Sequence, residues 1–141
     1  TVLFTNGCFD LIHLGHIDYL AKASGLGDHL VIAVNSDESV GRLKGAGRPI
    51  KDEYTRLMVL ASFQFVDALV LFHEDTPKQV IGKLLPDILV KGGDYKVETI
   101  VGAEDVLQNG GKVKILPLVE GRSTTNYEQK IIDNYVSNRP L

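Results

Sequence analysis

Five short runs of apolar, largely β-branched residues most constrain what this chain can fold into. The runs are Val2–Thr5, Leu30–Asn35, Val66–Phe72, Ile88–Lys91 and Val113–Leu116. Runs of this kind are typical of strands that are covered on both faces, as they are in a parallel sheet. The sequence therefore predicts a core that is built on buried strands.

The segments between these runs have the apolar spacing of amphipathic helices. The predicted helices are Ile17–Ala23, Glu53–Phe65, Thr76–Leu85 and Ser123–Val136. Strand and helix thus alternate, which predicts an α/β fold, a Rossmann-like doubly wound parallel sheet of about five strands with helices on both faces. Because ligands of such sheets bind beyond the carboxyl ends of the strands, we expect the functional residues in the loops that follow the strands.

The composition bounds the class of protein. With 141 residues, the chain has the size of one ordinary domain, and we expect residues 1–141 to form a single one. A net charge of −3 and the lack of a long apolar run favour neither nucleic acid nor a membrane as a partner. The only cysteine is Cys8, which excludes a disulfide within the chain and predicts a reducing compartment, by default the cytoplasm. Because the chain begins at Thr1 without Met, a further upstream domain is left open.

A glycine-containing loop and two histidines follow the first predicted strand. Thr5–Asp10 leads into His13-Leu14-Gly15-His16, at a predicted helix start. With 4 histidines and 14 glycines in 141 residues, chance gives about 0.01 occurrences of His-x-Gly-His. The amides of a first helical turn favour anions, and two imidazoles three residues apart can converge on one phosphate.

Two other interpretations of these residues stay open at the level of sequence. The pair of histidines can be two ordinary surface residues near a helix start. Alternatively, Cys8, Asp10, His13 and His16 are all residue types that bind zinc, although their spacing matches no closed zinc pattern.

The segment Arg42–Pro49 places the cations Arg42, Lys44 and Arg48 in a glycine-containing stretch after the second predicted strand. Taken alone, this composition is more typical of a solvated basic loop. Its place after a strand favours a loop that closes over a phosphate-bearing substrate.

Two later segments have the same relation to predicted strands. Leu89–Tyr95 leaves a strand through two glycines, and Asp94 can accept hydrogen bonds from sugar hydroxyls, or the segment can be a plain turn. Gly121–Thr125 combines a glycine turn, a cation, hydroxyls and a helix start, which together suit a phosphate cradle. Ser and Thr at a helix start are also ordinary N-caps.

With these segments in order, the sequence resembles the cytidylyltransferase-like family of nucleotidyltransferases. The resemblance is carried by TNGCFDLIHLGH, AVNSDES, RLKGAGRP, HEDTP, LPDILVKGGDY and GRSTT. Within the family, the chain is most similar, over nearly its whole length, to the heptose adenylyltransferases of lipopolysaccharide core synthesis. The resemblance implies transfer of AMP from ATP to a sugar 1-phosphate, D-glycero-β-D-manno-heptose 1-phosphate, with release of pyrophosphate and formation of ADP-heptose.

The resemblance also implies roles for individual residues. The implied catalytic residues are His13, His16, Lys44 and Ser123. The implied nucleotide-binding residues are Asn6, Gly7, Cys8, Phe9, Gly15, His16, Lys91, Gly92, Asp94, Arg122, Ser123, Thr124 and Thr125. The implied substrate-binding residues are Asp10, Lys44, Arg48 and Arg56. Both histidines would hold the α-phosphate and the late motif would hold the β- and γ-phosphates. Mg²⁺ would arrive with ATP and be held by phosphate oxygens, without a metal site of the protein.

Two positions depart from the family pattern, and several partners are implied. Leu118 stands where the glycerol-3-phosphate cytidylyltransferases have an arginine, which speaks against cytosine recognition. Arg122 stands where the heptose enzymes often have a small residue.

The alternative functions are a transferase that uses CTP with a polyol phosphate, a transferase that uses ATP with flavin mononucleotide, or a nucleotide sensor without turnover. A homodimer and a sugar kinase, as an upstream domain or a separate protein, are the expected partners.

Overall fold

The computed structural model describes residues 1–138. The strands are Val2–Gly7 (β1), His29–Asn35 (β2), Ala68–Phe72 (β3), Ile88–Gly92 (β4) and Lys112–Leu116 (β5). The helices are Leu14–Ser24 (α1), Asp37–Lys44 (α2), Glu53–Ala61 (α3), Lys78–Leu84 (α4), Ala103–Gln108 (α5) and Thr124–Ser137 (α6), with a 3-10 turn at Val97–Thr99. The five predicted strands are all present, each within two residues of its predicted start and end.

The strands form one sheet in the order β3-β2-β1-β4-β5, and every pairing between neighbours is parallel. The order reverses between β1 and β4, which makes the carboxyl ends of these two strands the switch point of the sheet. This arrangement confirms the predicted doubly wound, Rossmann-like fold.

Helices cover both faces of the sheet, because alternate strand residues supply a core on each side. Side chains of α1 and α3 pack on one face, in a cluster that includes Leu20, Leu60, Ile32 and Val90. Side chains of α4 and α5 pack on the other face, in a cluster that includes Ile81, Val106, Phe4 and Leu89. Among the described residues, no helix is long and apolar enough to cross a bilayer.

Helices α2 and α5 were not predicted from the sequence, and α3 is shorter than predicted. The segment that was expected to be a basic loop, Arg42–Pro49, begins as the last turn of α2. Ser36 caps this helix by accepting the backbone N–H of Ser39 at 3.2 Å, which satisfies one of the free amides of the first turn. Helix α3 ends at Ala61 rather than at the expected Phe65.

Candidate active site

A cleft of about 240 Å³ opens at the carboxyl ends of β1 and β4. Its lining comes from the first loop, the start of α1, the end of α2, the end of β4 and the start of α6. The lining residues are Asn6, Gly7, Cys8, Phe9, Asp10, His16, Tyr19, Lys44, Lys91, Gly92, Tyr95, Leu118 and Thr124. Ten of these residues were predicted from the sequence, so the structure brings all four motif segments to one place.

The two histidines of the HxGH motif cap the helix on which they stand. His13 is the N-cap of α1, and its Nδ1 accepts the backbone N–H of Gly15 at 3.1 Å. The backbone N–H of His13 in turn donates to Nδ1 of His16 at 3.2 Å. A ring nitrogen that accepts a hydrogen bond carries no proton, so each neutral imidazole has its proton on Nε2. The motif therefore leaves an N–H donor free on each ring.

Both histidines are neutral at neutral pH. Burial, and then the positive charges of His13 and Lys44, lower the pKa of His16 to about 4. Burial, and then the charge of Arg122, lower the pKa of His13. The ring centroids lie 4.0 Å apart at the helix start, and His16 lines the cleft whereas His13 lies just outside the lining. Such a pair can donate hydrogen bonds to the oxygens of a phosphoryl group.

Glycine is required where the backbone approaches other groups of the cleft. A Cβ on Gly15 would lie 2.8 Å from Cε1 of His13, and a Cβ on Gly92 would lie 2.8 Å from Cδ2 of Leu118. Real Cβ atoms do not approach other atoms so closely, so a side chain at either position would displace its neighbour. Gly15 itself is buried, and its part in the site is to make room for His13.

Three lining residues were missed by the sequence analysis. Tyr19 lies in the floor, where its hydroxyl bonds to Thr5 at 2.6 Å and to the carbonyl of Val90 at 3.0 Å, and burial raises its pKa to about 12. Tyr95 lies beside Lys91, whose Nζ is 5.2 Å from the centre of the ring. Leu118 was noticed only for the arginine that it replaces. The spacing of apolar residues predicts burial, and it does not distinguish the floor of a cleft from a core.

Two lysines provide positive charge in the cleft. Lys44 is exposed at the end of α2, and Lys91 follows the core of β4. Burial lowers the pKa of Lys91. Both side chains line the cleft, and their contact with phosphate oxygens stays a prediction.

The late motif lies beside the histidines. Ser123 is the N-cap of α6, and its Oγ accepts the backbone N–H of Asn126 at 3.2 Å. Thr124 lines the cleft, whereas Thr125 is exposed outside the lining. Arg122 is exposed and donates to the hydroxyl of Tyr127 at 3.2 Å. The late motif thus presents a helix start to the same space as His16.

Asp10 lines the cleft, and its carboxylate is held by backbone groups of another loop. It is 4% exposed, and its two carboxylate oxygens accept the backbone N–H groups of Ile50 and Lys51 at 2.7 and 2.8 Å. Because these oxygens are already hydrogen-bonded, Asp10 anchors the loop between α2 and α3 to the first loop. Its place beside the acceptor phosphate or its metal stays a prediction.

Arg56 was expected at the substrate, and it lies in the interior instead. The residue is 1% exposed, and its guanidinium donates to the carbonyls of Cys8 at 2.8 Å, Asn35 at 2.7 Å and Lys51 at 3.0 Å. A fourth contact joins it to the carboxylate of Asp37 at 2.9 Å. These partners use four of the five N–H donors of the guanidinium, so the buried Arg56 ties together the ends of β1 and β2.

Arg48 and Asp94 also lie outside the cleft lining. Arg48 forms ion pairs with Asp10, at 3.5 Å, and with Glu128 of α6. A phosphate contact would therefore compete with two carboxylates. Asp94 is exposed in the turn after β4 and stays a prediction as a contact of the ribose.

A second cavity of about 550 Å³ adjoins the cleft. The two share Asn6, Gly7, Cys8, Lys44, Lys91 and Tyr95. On its far side, the second cavity has polar residues and a wall of apolar ones. The polar residues are Asn35, Asp75, Thr76 and Thr99, and the apolar ones include Leu43, Leu89, Ile100 and Val101. Two neighbouring compartments thus meet at a pair of lysines.

The residues that could have bound zinc do not form a metal site. Within residues 1–138, no three His, Cys, Asp or Glu side chains come together as possible metal ligands. Asp10 bonds to backbone amides, and the Nδ1 atoms of His13 and His16 do the same. The donor set is therefore one for an anion rather than for a bare cation.

Comparison with known proteins agrees with this geometry. The sequence profile of the cytidylyltransferase-like family matches residues 4–130. The chain belongs to that family. The resemblance seen in the motifs is confirmed, and with it the class of enzyme, a nucleotidyltransferase.

Relatives with curated names cover nearly the whole chain. This chain is 55% identical to the bifunctional protein HldE of Syntrophotalea carbinolica over 135 residues. The aligned region is 96% of this chain and 28% of that protein. It is 57% identical over 130 residues to the bifunctional protein HldE of Histophilus somni, which is 92% of this chain and 27% of that protein. The chain thus spans little more than a quarter of the length of these relatives.

Solved structures show the same fold. A lipopolysaccharide core biosynthesis protein from Thermoplasma volcanium superimposes with a TM-score of 0.66 and 33% identity, over 86% of this chain and 98% of that one. Pantoate-β-alanine ligase from Francisella tularensis superimposes with a TM-score of 0.54 over 98% of this chain and 72% of that one. The second pair is 12% identical, so it is similar in fold alone.

Proposed function

We propose that this chain transfers AMP from ATP to D-glycero-β-D-manno-heptose 1-phosphate, giving ADP-heptose and pyrophosphate. The observation that supports this most is the pair of Nε2–H donors of His13 and His16 at the switch point of the sheet. The heptose acceptor is supported by the motifs shared with the heptose adenylyltransferases. It is also supported by 33% identity to a protein of lipopolysaccharide core biosynthesis.

The reaction is a direct in-line displacement. An oxygen of the acceptor phosphate forms a bond to the α-phosphorus, and the bond from the α-phosphorus to the oxygen that bridges to the β-phosphorus breaks. That oxygen leaves with the electron pair, as part of pyrophosphate. Because the acceptor phosphate is already an anion at neutral pH, the step needs no general base. Catalysis is then positioning plus stabilisation of charge.

The two histidines act on the α-phosphate. Since their pKa values are lowered, they donate hydrogen bonds as neutral rings and release no proton. Lys44 and Lys91 stand between the two compartments, where they balance the negative charge of the two phosphate groups that meet there. The start of α6, with Ser123 and Thr124, receives the β- and γ-phosphates.

The second cavity takes the acceptor sugar. Its apolar wall excludes water, and Asn35, Asp75 and Thr76 can bond to hydroxyl groups. Nε of Arg42 holds Oδ1 of Asp75 at 2.8 Å, which leaves Oδ2 to accept a hydroxyl of the substrate. A carboxylate at this end directs the phosphate of the acceptor toward the lysines.

Mg²⁺ accompanies the triphosphate in this proposal. The donor set fits an ion that is held mainly by phosphate oxygens, because the carboxylate in the cleft, Asp10, is bonded to backbone amides. When bound, the ion neutralises part of the phosphate charge. The base is adenine in the proposal, since Leu118 gives the cleft an apolar side chain where cytidylyltransferases have an arginine.

Two partners belong to the proposal as well. The acceptor must be phosphorylated before it binds, so a sugar kinase supplies it, either in an upstream domain or as a separate protein. The chain pairs with a second copy as a homodimer. Light scattering at micromolar concentration tests this pairing, because it should give the mass of a dimer. The interface of such a dimer should bury at least about 1,000 Å².

A pyrophosphate-release assay tests the function. The chain is incubated with each of four nucleoside triphosphates, Mg²⁺, and a panel of sugar phosphates, polyol phosphates and flavin mononucleotide. We expect release with ATP and heptose 1-phosphate above all other pairs. Release with CTP alone would retain the class of enzyme and refute the proposed substrates. Nucleotide binding without any release would favour a sensor.

A further inference from the structure

Helix α6 carries the phosphate-binding motif at its start, yet it is weakly anchored. None of residues 124–137 is buried. Two side chains near its start contact the rest of the domain. The ring of Tyr127 stacks on that of His13, with centroids 5.4 Å apart, and the carboxylate of Glu128 accepts from the guanidinium of Arg48. The position of the helix start therefore depends on few contacts.

The contact of Glu128 continues into the body of the site. Both side chains of the Arg48–Glu128 pair are partly shielded, at 24% and 23% exposure. The other nitrogen of Arg48 lies 3.5 Å from Asp10, whose side chain is 3% exposed. Asp10 in turn holds the loop between α2 and α3 through two backbone amides. One chain of charged contacts thus runs from α6 to the first loop, and shielding makes it stronger than a pair on the open surface.

We propose that Glu128 is a positioning residue, whose ion pair with Arg48 holds the start of α6 over the HxGH motif. In this position, the amides and hydroxyls of Ser123–Thr125 reach the β- and γ-phosphates. The inference rests on the proposed function, because it places the triphosphate between the two motifs. Sequence alone does not indicate Glu128, since its partner is 80 residues away in the chain.

The two ends of the triphosphate contact different elements of the fold in this proposal. Helix α6 receives the two terminal phosphates, whereas the α-phosphate belongs to His13 and His16. Loss of the ion pair should therefore lower the affinity for ATP and pyrophosphate, which carry the terminal phosphates. The affinity for AMP, which lacks them, should stay the same. If Glu128 had a merely structural role, its loss would lower the affinity for ATP, pyrophosphate and AMP alike.

Calorimetry without acceptor tests this claim. The variant E128Q keeps the size of the side chain and removes its charge. We expect ATP and pyrophosphate to bind about five- to tenfold more weakly to it than to the wild type, a cost of about 1 to 1.4 kcal/mol. AMP should bind within about twofold of wild type, which corresponds to less than about 0.5 kcal/mol. D133N is the matched control, because it removes a carboxylate of the same helix that accepts a bond from Gln129 within that helix.

A double-mutant cycle completes the test. R48Q should lower the affinity for ATP as much as E128Q does. The double variant R48Q/E128Q should bind ATP no more weakly than either single variant, because the two side chains act through one contact. Wild-type affinity of E128Q for ATP, an equal loss for AMP, or additive losses in the double variant would each overturn the role of Glu128. Failure of the wild type to bind ATP would overturn the proposed function instead, so the two failures are distinguishable.

Discussion

The backbone N–H of His13 donates to Nδ1 of His16 at 3.2 Å, so the catalytic motif is also the cap of its own helix. The bond fixes the orientation of the His16 ring and places its proton on Nε2. Catalytic geometry and the start of α1 are therefore set by the same contact. A change at His16 should affect both, to different degrees.

Replacement of His16 separates these two effects. His16→Ala should lower kcat by about 100- to 1,000-fold with little change in the KM for ATP, because the ring acts on charge that develops during attack. The lost cap should cost about 1 kcal/mol of folding free energy and lower Tm by about 3 to 5 °C. Steady-state kinetics and a thermal scan measure both.

His29 is the control for this variant. It is exposed at the start of β2, away from the cleft, and His29→Ala should keep wild-type kcat. If His16→Ala kept more than about a third of wild-type kcat, a loss below about 1 kcal/mol, the catalytic role would be refuted.

The lowered pKa of His16 predicts how stability depends on pH. Its pKa is about 4 in the folded chain and 6.5 as the reference value, so the unfolded state binds more protons between these limits. Its contribution to stability is fully present above pH 6.5 and is lost as the pH falls toward 4. The Tm of His16→Gln should therefore change less with pH than that of the wild type. If the curves of Tm against pH for the two proteins were parallel from pH 7 to 4, the lowered pKa of His16 would be contradicted.

Gly15 should be necessary for activity because of the space it leaves. The added methyl of Gly15→Ala would lie 2.8 Å from Cε1 of His13 and push that ring from its place, so kcat should fall at least about tenfold. Gly82→Ala is the matched control, since its Cβ would meet nothing within 4 Å in α4. That variant should gain up to about 1 kcal/mol of stability and keep its activity. Equal kinetics of both variants would refute the steric argument.

Arg56 should be a residue of stability rather than of binding. Arg56→Met leaves three carbonyls and Asp37 without their donor, which should cost about 3 to 5 kcal/mol and lower Tm by about 10 to 20 °C. Lys44→Met, at an exposed cation of the cleft, should lose activity and keep its Tm within a few degrees. A phosphate ligand at Arg56 would show the pattern of Lys44 instead, and thermal scans distinguish the two.

The strands, their parallel arrangement and the HxGH motif could be predicted from local pattern, because apolar runs and helix starts are properties of neighbouring residues. The contacts of Asp10 and Arg56 could not be predicted in this way, because their partners lie far along the chain. Asp10 bonds to Ile50, 40 residues away, and Arg56 bonds to Cys8, 48 residues away. A charged residue in a motif has the same sequence pattern whether it binds a ligand or its own backbone.

Helix α2 was missed for a different reason. The glycines after Lys44 suggested a loop, although the signals of a helix are present. Ser36 is a cap, and Asp37 and Glu38 stand in the first turn, where negative charge favours a helix. These signals outweigh one glycine in the interior of the helix, which costs only about 1 kcal/mol.

Transfer of AMP to a sugar phosphate is tested most directly by mass spectrometry of the products. The chain is incubated with ATP, Mg²⁺ and D-glycero-β-D-manno-heptose 1-phosphate, and the same mixture with His16→Ala is the control. We predict ADP-heptose and pyrophosphate in equal amounts, and almost none with the variant. No nucleotide sugar from ATP, or a nucleotide sugar formed only from CTP, would contradict the proposed reaction.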